Sequence, residues 1–151
     1  MERERKLNTL LAQAGVKTDT TTGALTTPLH FSTTYQHPEF GQSTGYDYTR
    51  TKNPTRASLE ETLAAIESAD YALATSSGMS AIVLAFSAFP VGSKVLAVRD
   101  LYGGSFRWFA QVEAEGRFSF TYANTEEELL NKLTEDIDIV YIETPTNPLM
   151  V

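Results

Sequence analysis

The chain has 151 residues, 42% of them hydrophobic and 21% charged, and carries a formal net charge of −7. It is long enough for one domain with a real core, and its acidic balance disfavours a nucleic-acid-binding surface, which collects lysine and arginine on one face. It contains no cysteine, which excludes disulfides and thiolate metal sites. Its N-terminus has no apolar core of signal-peptide length, and its longest apolar stretch, Ala81–Val91, is too short to span a bilayer. We therefore expect a cytoplasmic protein without nucleic-acid or membrane partners.

An N-terminal arm is predicted over residues 1–53. It begins with a helix over Glu2–Ala14 and continues as a Thr-rich segment broken by glycines and prolines, without strand alternation. A structureless segment of this length is unusual inside a compact domain. The arm also has large apolar side chains that disordered tails usually lack, namely Leu25, Leu29, Phe31 and Tyr35. We expect it to pack on something else, with another subunit as one candidate.

From residue 54 onward, helical and strand patterns alternate. Asn53 can cap a helix that has Pro54 at its first position. The elements predicted after this helix are, in order, a strand over 71–76, a helix over Met79–Phe89, a strand over 94–98, a helix over Ser105–Glu115, a strand over 118–122, a helix over Glu126–Leu133 opened by Thr125, and a strand over 137–143. Such alternation is typical of the α/β fold class, with a mostly parallel sheet and right-handed crossovers.

In open parallel sheets, ligands bind at the carboxyl ends of the strands. Four stretches occupy that position here: "TSSGMS", "RDLYGGS", "ANTEE" and "TPTNPLM". The first places small residues at a strand-to-helix turn, where free N–H groups and the helix dipole favour an anion such as phosphate. A simple capped helix would use the same residues. Neither a P-loop nor a Gly-x-Gly-x-x-Gly fingerprint is present.

Two other stretches contain candidate side chains. Tyr102 follows a strand and precedes two glycines, so its ring could stack on a planar ligand, or it could be a core tyrosine with a bonded hydroxyl. Arg107, one turn later, could bind a carboxylate or merely be solvated. Glu143 and Asn147 lie in a proline-rich stretch that could equally be a plain turn. No single one of these residues identifies a ligand.

The sequence does not support metal or hydrolase chemistry. His30 and His37 are seven positions apart and far from any third ligand-like residue, whereas catalytic zinc takes three protein ligands. No serine stands in the strand-elbow context of a Ser/His/Asp triad. We therefore expect no metal site.

Four short stretches, taken together, resemble one known family. "YDYTRTKNPT", "TSSGMSAI", "DLYGGSFR" and "ETPTNPLM", in this order and spacing, resemble the Cys/Met-metabolism family of pyridoxal-phosphate enzymes over Leu7 to Val151. The resemblance implies the aspartate-aminotransferase-like fold (fold type I), with residues 54–151 as the first part of the large cofactor-binding domain. It also implies pyridoxal 5′-phosphate as the cofactor and an amino acid as the substrate.

The resemblance also implies which residues bind the phosphate group. In this family a Tyr-x-Arg segment reaches across a dimer interface to the phosphate of the neighbouring subunit's cofactor. Carried over, Tyr48 and Arg50 have this role, the guanidinium through charge-assisted hydrogen bonds. Gly78 and Met79 are implied to donate backbone N–H groups to the phosphate within their own subunit. We accordingly expect a homo-oligomer, a dimer of dimers in the complete enzyme.

Three further roles are implied in the same way. Tyr102 would stack on the pyridine ring of the cofactor and shuttle protons, which makes it the candidate catalytic residue. Asn147 would lie near the 3′-oxygen of the cofactor and the carboxylate of the substrate. Arg107 would contact the distal end of the substrate.

The sequence departs from the family in one respect: it lacks the lysine that forms the Schiff base with the cofactor. Chemistry of this type needs a Schiff-base lysine and an acid facing the pyridine nitrogen, and in the family both follow the Asn-Pro turn, the lysine within a Ser-x-Thr-Lys stretch. The lysines here are Lys6, Lys17, Lys52, Lys94 and Lys132, and none has that context. We expect the chain to be the N-terminal part of a longer enzyme and to be inactive alone.

The reaction is the remaining question. The basic Arg107 favours γ-replacement on an acylated homoserine by cysteine, the reaction of cystathionine γ-synthases. Cystathionine β-lyase, O-acetylhomoserine thiolyase and methionine γ-lyase activities stay open, because the residues that separate them largely lie outside this sequence. A function of another class also stays open, namely a non-catalytic α/β domain that keeps only the phosphate-binding turn.

Overall fold

The computed structural model describes residues 7–16, 19–146 and 150. Two compact units are formed, Met1–Ala74 and Thr75–Val151. Within the described ranges, no helix combines the length and the apolar character needed to cross a bilayer. The predicted division of the complete protein after residue 53 stays a prediction.

The first unit contains two helices, α1 over Leu7–Ala12 and α2 over Pro54–Ile66. Asn53 caps α2, because its Oδ1 accepts from the Thr55 amide at 2.8 Å. Its Nδ2 donates to Thr49 Oγ1 at 2.6 Å and so ties the helix start to the preceding segment. The predicted cap is confirmed. The predicted first helix is present but ends at Ala12 rather than Ala14, and its predicted start lies outside the described residues.

Between these helices the arm is extended and irregular. Isolated antiparallel bridges join Val16 to Thr26 and Thr34 to Tyr48. Several large apolar side chains of the arm remain exposed, with Phe31 90% accessible and Leu29 69% accessible. That the arm packs on another part of the protein or on another subunit stays a prediction.

The second unit is built on a three-stranded parallel sheet. Its strands are β1 over Ser93–Val98, β2 over Phe118–Ala123 and β3 over Ile139–Tyr141, in the spatial order β2-β1-β3. The central strand β1 is almost fully buried at its middle three residues. Parallel strands joined through helices confirm the α/β class, and they bring the carboxyl ends of all three strands to one edge.

Three helices complete this unit: α3 over Gly78–Phe86, α4 over Gly103–Ala114 and α5 over Glu126–Lys132. Ser77 caps α3, and Thr125 caps α5 as predicted, each through a side-chain oxygen that accepts a backbone N–H. All three helices were predicted, with ends that differ by no more than three residues.

An aromatic core holds α4 against the sheet. Phe109 is fully buried, stacks on Phe120 with ring centroids 4.5 Å apart, and meets Tyr141 edge-on at 4.9 Å. Phe86 of α3 joins the same cluster. Aromatic pairs of this kind add about 0.5–1.5 kcal/mol each beyond their buried area. The cluster therefore fixes α4 relative to the ends of β1 and β3, where the candidate site lies.

The predicted strand over residues 71–76 is wrong in this structure. The segment has no strand geometry, and Tyr71 and Leu73 are 89% and 71% exposed. The amide of Ala74 donates to Glu60 Oε1 at 2.9 Å instead of to a neighbouring strand. A strand requires an adjacent strand for its backbone hydrogen bonds, and the three described strands pair only with one another. The last predicted strand, 137–143, is likewise shorter than expected.

Candidate active site

The start of α4, directly after β1, places two candidate side chains against glycines. Tyr102 is the N-cap residue and is 47% exposed. A Cβ added at Gly104 would lie 2.3 Å from Cε1 of the Tyr102 ring, and one at Gly103 would lie 3.3 Å from Nη1 of Arg107. Glycine at 104 therefore lets the phenol lie close to the backbone of the first turn of the helix, while the Arg107 guanidinium lies near Gly103.

Glu143, just after β3, is bonded to this helix start. Its Oε2 accepts from the Tyr102 amide at 2.7 Å. Its Oε1 accepts from Ser105 Oγ at 2.6 Å and from the Tyr141 hydroxyl at 2.7 Å. Ser105 is completely buried, so its hydroxyl needs this partner. One carboxylate thus joins the end of β3 to the first turn of α4.

The electrostatics of this cluster keep the carboxylate charged and the phenol neutral. Partial burial works to raise the pKa of Glu143, but the three hydrogen bonds outweigh it and hold that pKa below its ordinary value. Burial, reinforced by the bond to Glu143, raises the pKa of Tyr141 to about 12. At neutral pH, Glu143 is therefore an acceptor for all three donors.

The start of α3 offers free backbone donors. Ser77 Oγ accepts from the Ser80 amide at 3.1 Å, and the Ser77 carbonyl accepts from Ala81. The amides of Gly78 and Met79 have no acceptor among the described residues, and a Cβ at Gly78 would meet no atom within 4 Å. Two unpaired N–H groups at a helix N-terminus, with open space beside them, fit a phosphate group.

In the first unit, the segment with Tyr48 and Arg50 carries two cation–ring pairs. The Arg50 guanidinium lies 5.0 Å from the centroid of the Tyr48 ring, and Lys52 Nζ lies 5.3 Å from that of Tyr46. Arg50 is exposed, and no carboxylate in the described ranges forms an ion pair with it. The stacked pair therefore presents a guanidinium without a counterion, together with a phenol.

The carboxyl edge of the sheet also borders an open cavity of about 440 Å³. Its lining includes Arg99 and Asp100 after β1, Asn124 after β2, and Glu143 after β3. Asp100 Oδ2 is buried and has no hydrogen-bond partner among the described residues. The location follows the strand-end rule for ligand sites in open parallel sheets.

The structure brings some of the predicted site residues together and not others. Tyr102 and Arg107 both lie at the start of α4, near Gly104 and Gly103 respectively, Tyr48 and Arg50 form a cation–ring pair in the first unit, and Asn147 lies outside the described residues. Glu143 was expected only in a stretch that could be a plain turn, and its bonds to α4 were not predicted. The sequence shows only a single glutamate at the end of an apolar run, which indicates that Glu143 follows a strand but not that it bonds to α4.

This fold and these strand-end residues define an α/β protein with a parallel sheet and a candidate ligand site at the carboxyl edge of that sheet. The profile of the family described as Cys/Met metabolism PLP-dependent enzyme matches residues 8–151. The chain belongs to this family.

Curated relatives agree with the family. The chain is 42% identical over 146 residues to the cystathionine gamma-synthase/O-acetylhomoserine (thiol)-lyase of Bacillus subtilis (strain 168), covering 95% of this chain and 39% of the relative. It is 40% identical over 148 residues to the cystathionine gamma-lyase of Dictyostelium discoideum, covering 96% and 38%. The chain thus spans about two fifths of the length of the curated relatives it matches.

Solved structures agree as well. The crystal structure of cystathionine gamma synthase from Xanthomonas oryzae pv. oryzae in complex with cystathionine superposes with a TM-score of 0.88 at 37% identity. The match covers 97% of this chain and 38% of that one. The family fold is therefore shared over nearly the whole chain, and family membership implies pyridoxal phosphate as the cofactor.

Proposed function

We propose that the complete protein is a transsulfuration enzyme that carries out γ-replacement on an acylated homoserine, in the manner of a cystathionine γ-synthase. The observation that carries the proposal is the start of α4, where the Tyr102 ring and the Arg107 guanidinium lie over two glycines. Support comes from a relative named for both γ-synthase and thiol-lyase activity. Pyridoxal phosphate, when bound, supplies an electron sink for charge that develops on the substrate.

The phosphate group would be held from two sides. The Gly78 and Met79 amides donate to it at the positive end of α3. Arg50 and the Tyr48 hydroxyl donate to it from the arm of a partner subunit. The exposed guanidinium, which no carboxylate in the described ranges neutralises, supports this role, since Arg forms charge-assisted bidentate bonds with phosphate.

The remaining residues would orient the substrate and move protons. Tyr102 covers one face of the cofactor ring, and its hydroxyl exchanges a proton with the reacting part of the substrate. Asn147 would lie near the 3′-oxygen of the cofactor and the carboxylate of the substrate. Arg107 is exposed and forms no ion pair within the described part of the chain, which leaves its guanidinium available to the distal end of the substrate.

The proposal includes an assembly. A Tyr48–Arg50 pair that serves a neighbouring subunit requires at least a homodimer, and we propose a cytoplasmic dimer of dimers. The exposed apolar side chains of the arm support an interface there, because large apolar surface left uncovered is unfavourable in water.

The substrate assignment is tested by comparing reactions on the purified complete protein. We expect stoichiometric pyridoxal phosphate and faster formation of cystathionine from acylated homoserine and cysteine than cleavage of cystathionine or methionine. A dominant cleavage activity would transfer the assignment to the β-lyases or methionine γ-lyases, and a dominant reaction with sulfide would favour the thiolyases. A protein that binds phosphate but catalyses none of these would be the non-catalytic domain.

The assignment of Arg50 is tested by mixing two variants. Arg50→Ala should weaken pyridoxal phosphate binding roughly tenfold to a hundredfold, the value of one charge-assisted contact. Tyr102→Phe keeps Arg50 but impairs its own site. Hybrid dimers would contain one site with both residues intact, so activity should reappear at limiting cofactor. Arg117→Ala, at an exposed arginine between α4 and β2, is the matched control and should bind cofactor normally. A mixture no better than the mean of its parents would place Arg50 in its own subunit's site.

A further inference from the structure

The helix start that holds Tyr102 lacks a cap of its own. Tyr102 stands at the N-cap position and makes no side-chain capping bond. The hydroxyl of Ser105, in the first turn, donates to Glu143. The capping acceptor is supplied instead by Glu143, 41 positions later, whose carboxylate accepts from the Tyr102 amide. An orphan donor at a helix N-terminus is stabilised by an anionic acceptor.

The position of the Tyr102 ring depends on this backbone. The ring lies so close to Gly104 that a Cβ there would overlap it, so the ring position is defined by the course of residues 102–104. The bond from the Tyr102 amide to Glu143 fixes that course at its first residue. Glu143 is in turn held by the Tyr141 hydroxyl and Ser105.

We propose that Glu143 is a positioning residue for Tyr102: its carboxylate, held at the end of β3, accepts the Tyr102 amide and thereby sets where the phenol lies. Glu143 touches neither cofactor nor substrate in this role. The consequence for catalysis rests on the function proposed above, whereas the effect on the ring is a property of the protein without cofactor.

The test compares Glu143→Gln with Glu128→Gln in the complete protein. The Glu128 carboxylate accepts from the Asn124 amide at 2.9 Å, so it also bonds a backbone amide between a strand and a helix, away from Tyr102. A fluorotyrosine at position 102, introduced by codon suppression, reports the ring environment by ¹⁹F NMR without cofactor. We expect Glu143→Gln to shift or broaden this resonance and Glu128→Gln to leave it unchanged, because a glutamine cannot accept all three bonds.

Turnover of the loaded enzyme is the second readout. A misplaced group near the reaction costs up to about a hundredfold in rate, so kcat should fall roughly tenfold to a hundredfold in Glu143→Gln, with a smaller change in KM, and stay near the parent value in Glu128→Gln. An unchanged ¹⁹F resonance in a folded Glu143→Gln protein would overturn the proposal. A shifted resonance in a protein that binds no pyridoxal phosphate would uphold the positioning and refute the proposed function.

A second variant covers the case in which Glu143→Gln does not fold. Tyr141→Phe removes one of the three donors and leaves the carboxylate bonded to Tyr102. If Glu143→Gln folds, we expect Tyr141→Phe to change the same ¹⁹F resonance in the same direction but by less. If Glu143→Gln does not fold, we expect the change in Tyr141→Phe to be greater than the change in Glu128→Gln. No change in Tyr141→Phe beyond that of Glu128→Gln would then overturn the proposal.

Discussion

The two strand-to-helix junctions at the carboxyl edge of the sheet are closed in different ways. Between β2 and α5, Thr125 Oγ1 accepts from the Glu128 amide at 3.1 Å, and Glu128 accepts from the Asn124 amide at 2.9 Å. All of these bonds lie within five residues. Between β1 and α4, the Tyr102 amide is accepted by Glu143, which is distant in sequence.

The two junctions differ in the parts of the chain that must be in place before they can form. The α5 junction resembles a capping box and can form from local sequence as soon as the helix does. The α4 junction forms only when β3 has joined β1 and brought Glu143 into place. The candidate catalytic tyrosine lies at the second kind of junction, so its geometry depends on the assembled sheet rather than on the helix alone.

The largest expected effect comes from breaking the α4 junction at Gly104. Gly104→Ala places a Cβ 2.3 Å from the present position of the Tyr102 ring, which must move. We expect turnover by the complete enzyme to fall roughly tenfold to a hundredfold. The free energy of unfolding should change by less than about 1 kcal/mol, because alanine favours the helix while the ring contact is lost.

The neighbouring glycine is the matched control for this variant. Gly103→Ala meets only the flexible end of Arg107, at 3.3 Å, so turnover with saturating substrate should change little. Steady-state kinetics and chemical denaturation of both variants are the measurements. Equal losses of turnover in the two variants would show that turnover does not depend on the space that Gly104 leaves for the Tyr102 ring.

Sequence alone was sufficient for the locally determined parts of the molecule. The caps at Asn53 and Thr125 and the strands β1 and β2 were predicted because their signals lie within a few residues. The strand over 71–76 was not distinguishable from an exposed apolar segment, since an apolar run does not show whether a neighbouring strand exists. The Glu143–Tyr102 bond joins partners 41 positions apart, and no local pattern encodes it.

A smaller effect is expected from breaking the junction between β2 and α5. Thr125→Ala removes the hydroxyl that accepts from Glu128 and should lower the free energy of unfolding by about 1 kcal/mol. Cofactor affinity and turnover should stay near the parent values, because no bond connects Thr125 to the start of α4 in the described chain. Thermal or urea unfolding, together with a cofactor titration, measures both. A loss of turnover as large as that of Gly104→Ala would mean that the two junctions are coupled.

The smallest effect on the free energy of unfolding at neutral pH is expected from Tyr141→Phe. The consequence of this substitution for stability appears in alkaline solution. The pKa of Tyr141 is raised to about 12 by burial and by the bond to Glu143, against an ordinary value of about 10. Above pH ~10 the unfolded chain loses this proton while the folded chain retains it, so the stabilising contribution is complete below that pH and is lost as the pH rises toward 12. Tyr141→Phe should therefore flatten the alkaline decline in the free energy of unfolding.

Tyr122, near the end of β2, is the matched control for the alkaline measurement. Burial, with a contribution from Glu113, also raises the pKa of Tyr122, but no carboxylate in the described chain accepts a hydrogen bond from its hydroxyl. Tyr122→Phe should flatten the alkaline limb less than Tyr141→Phe does. Urea denaturation at a series of pH values between 9 and about 12 compares the two slopes. Identical slopes would show that the bond to Glu143 adds nothing to burial, and would weaken the case that the α4 junction is held by a charged, fully bonded carboxylate.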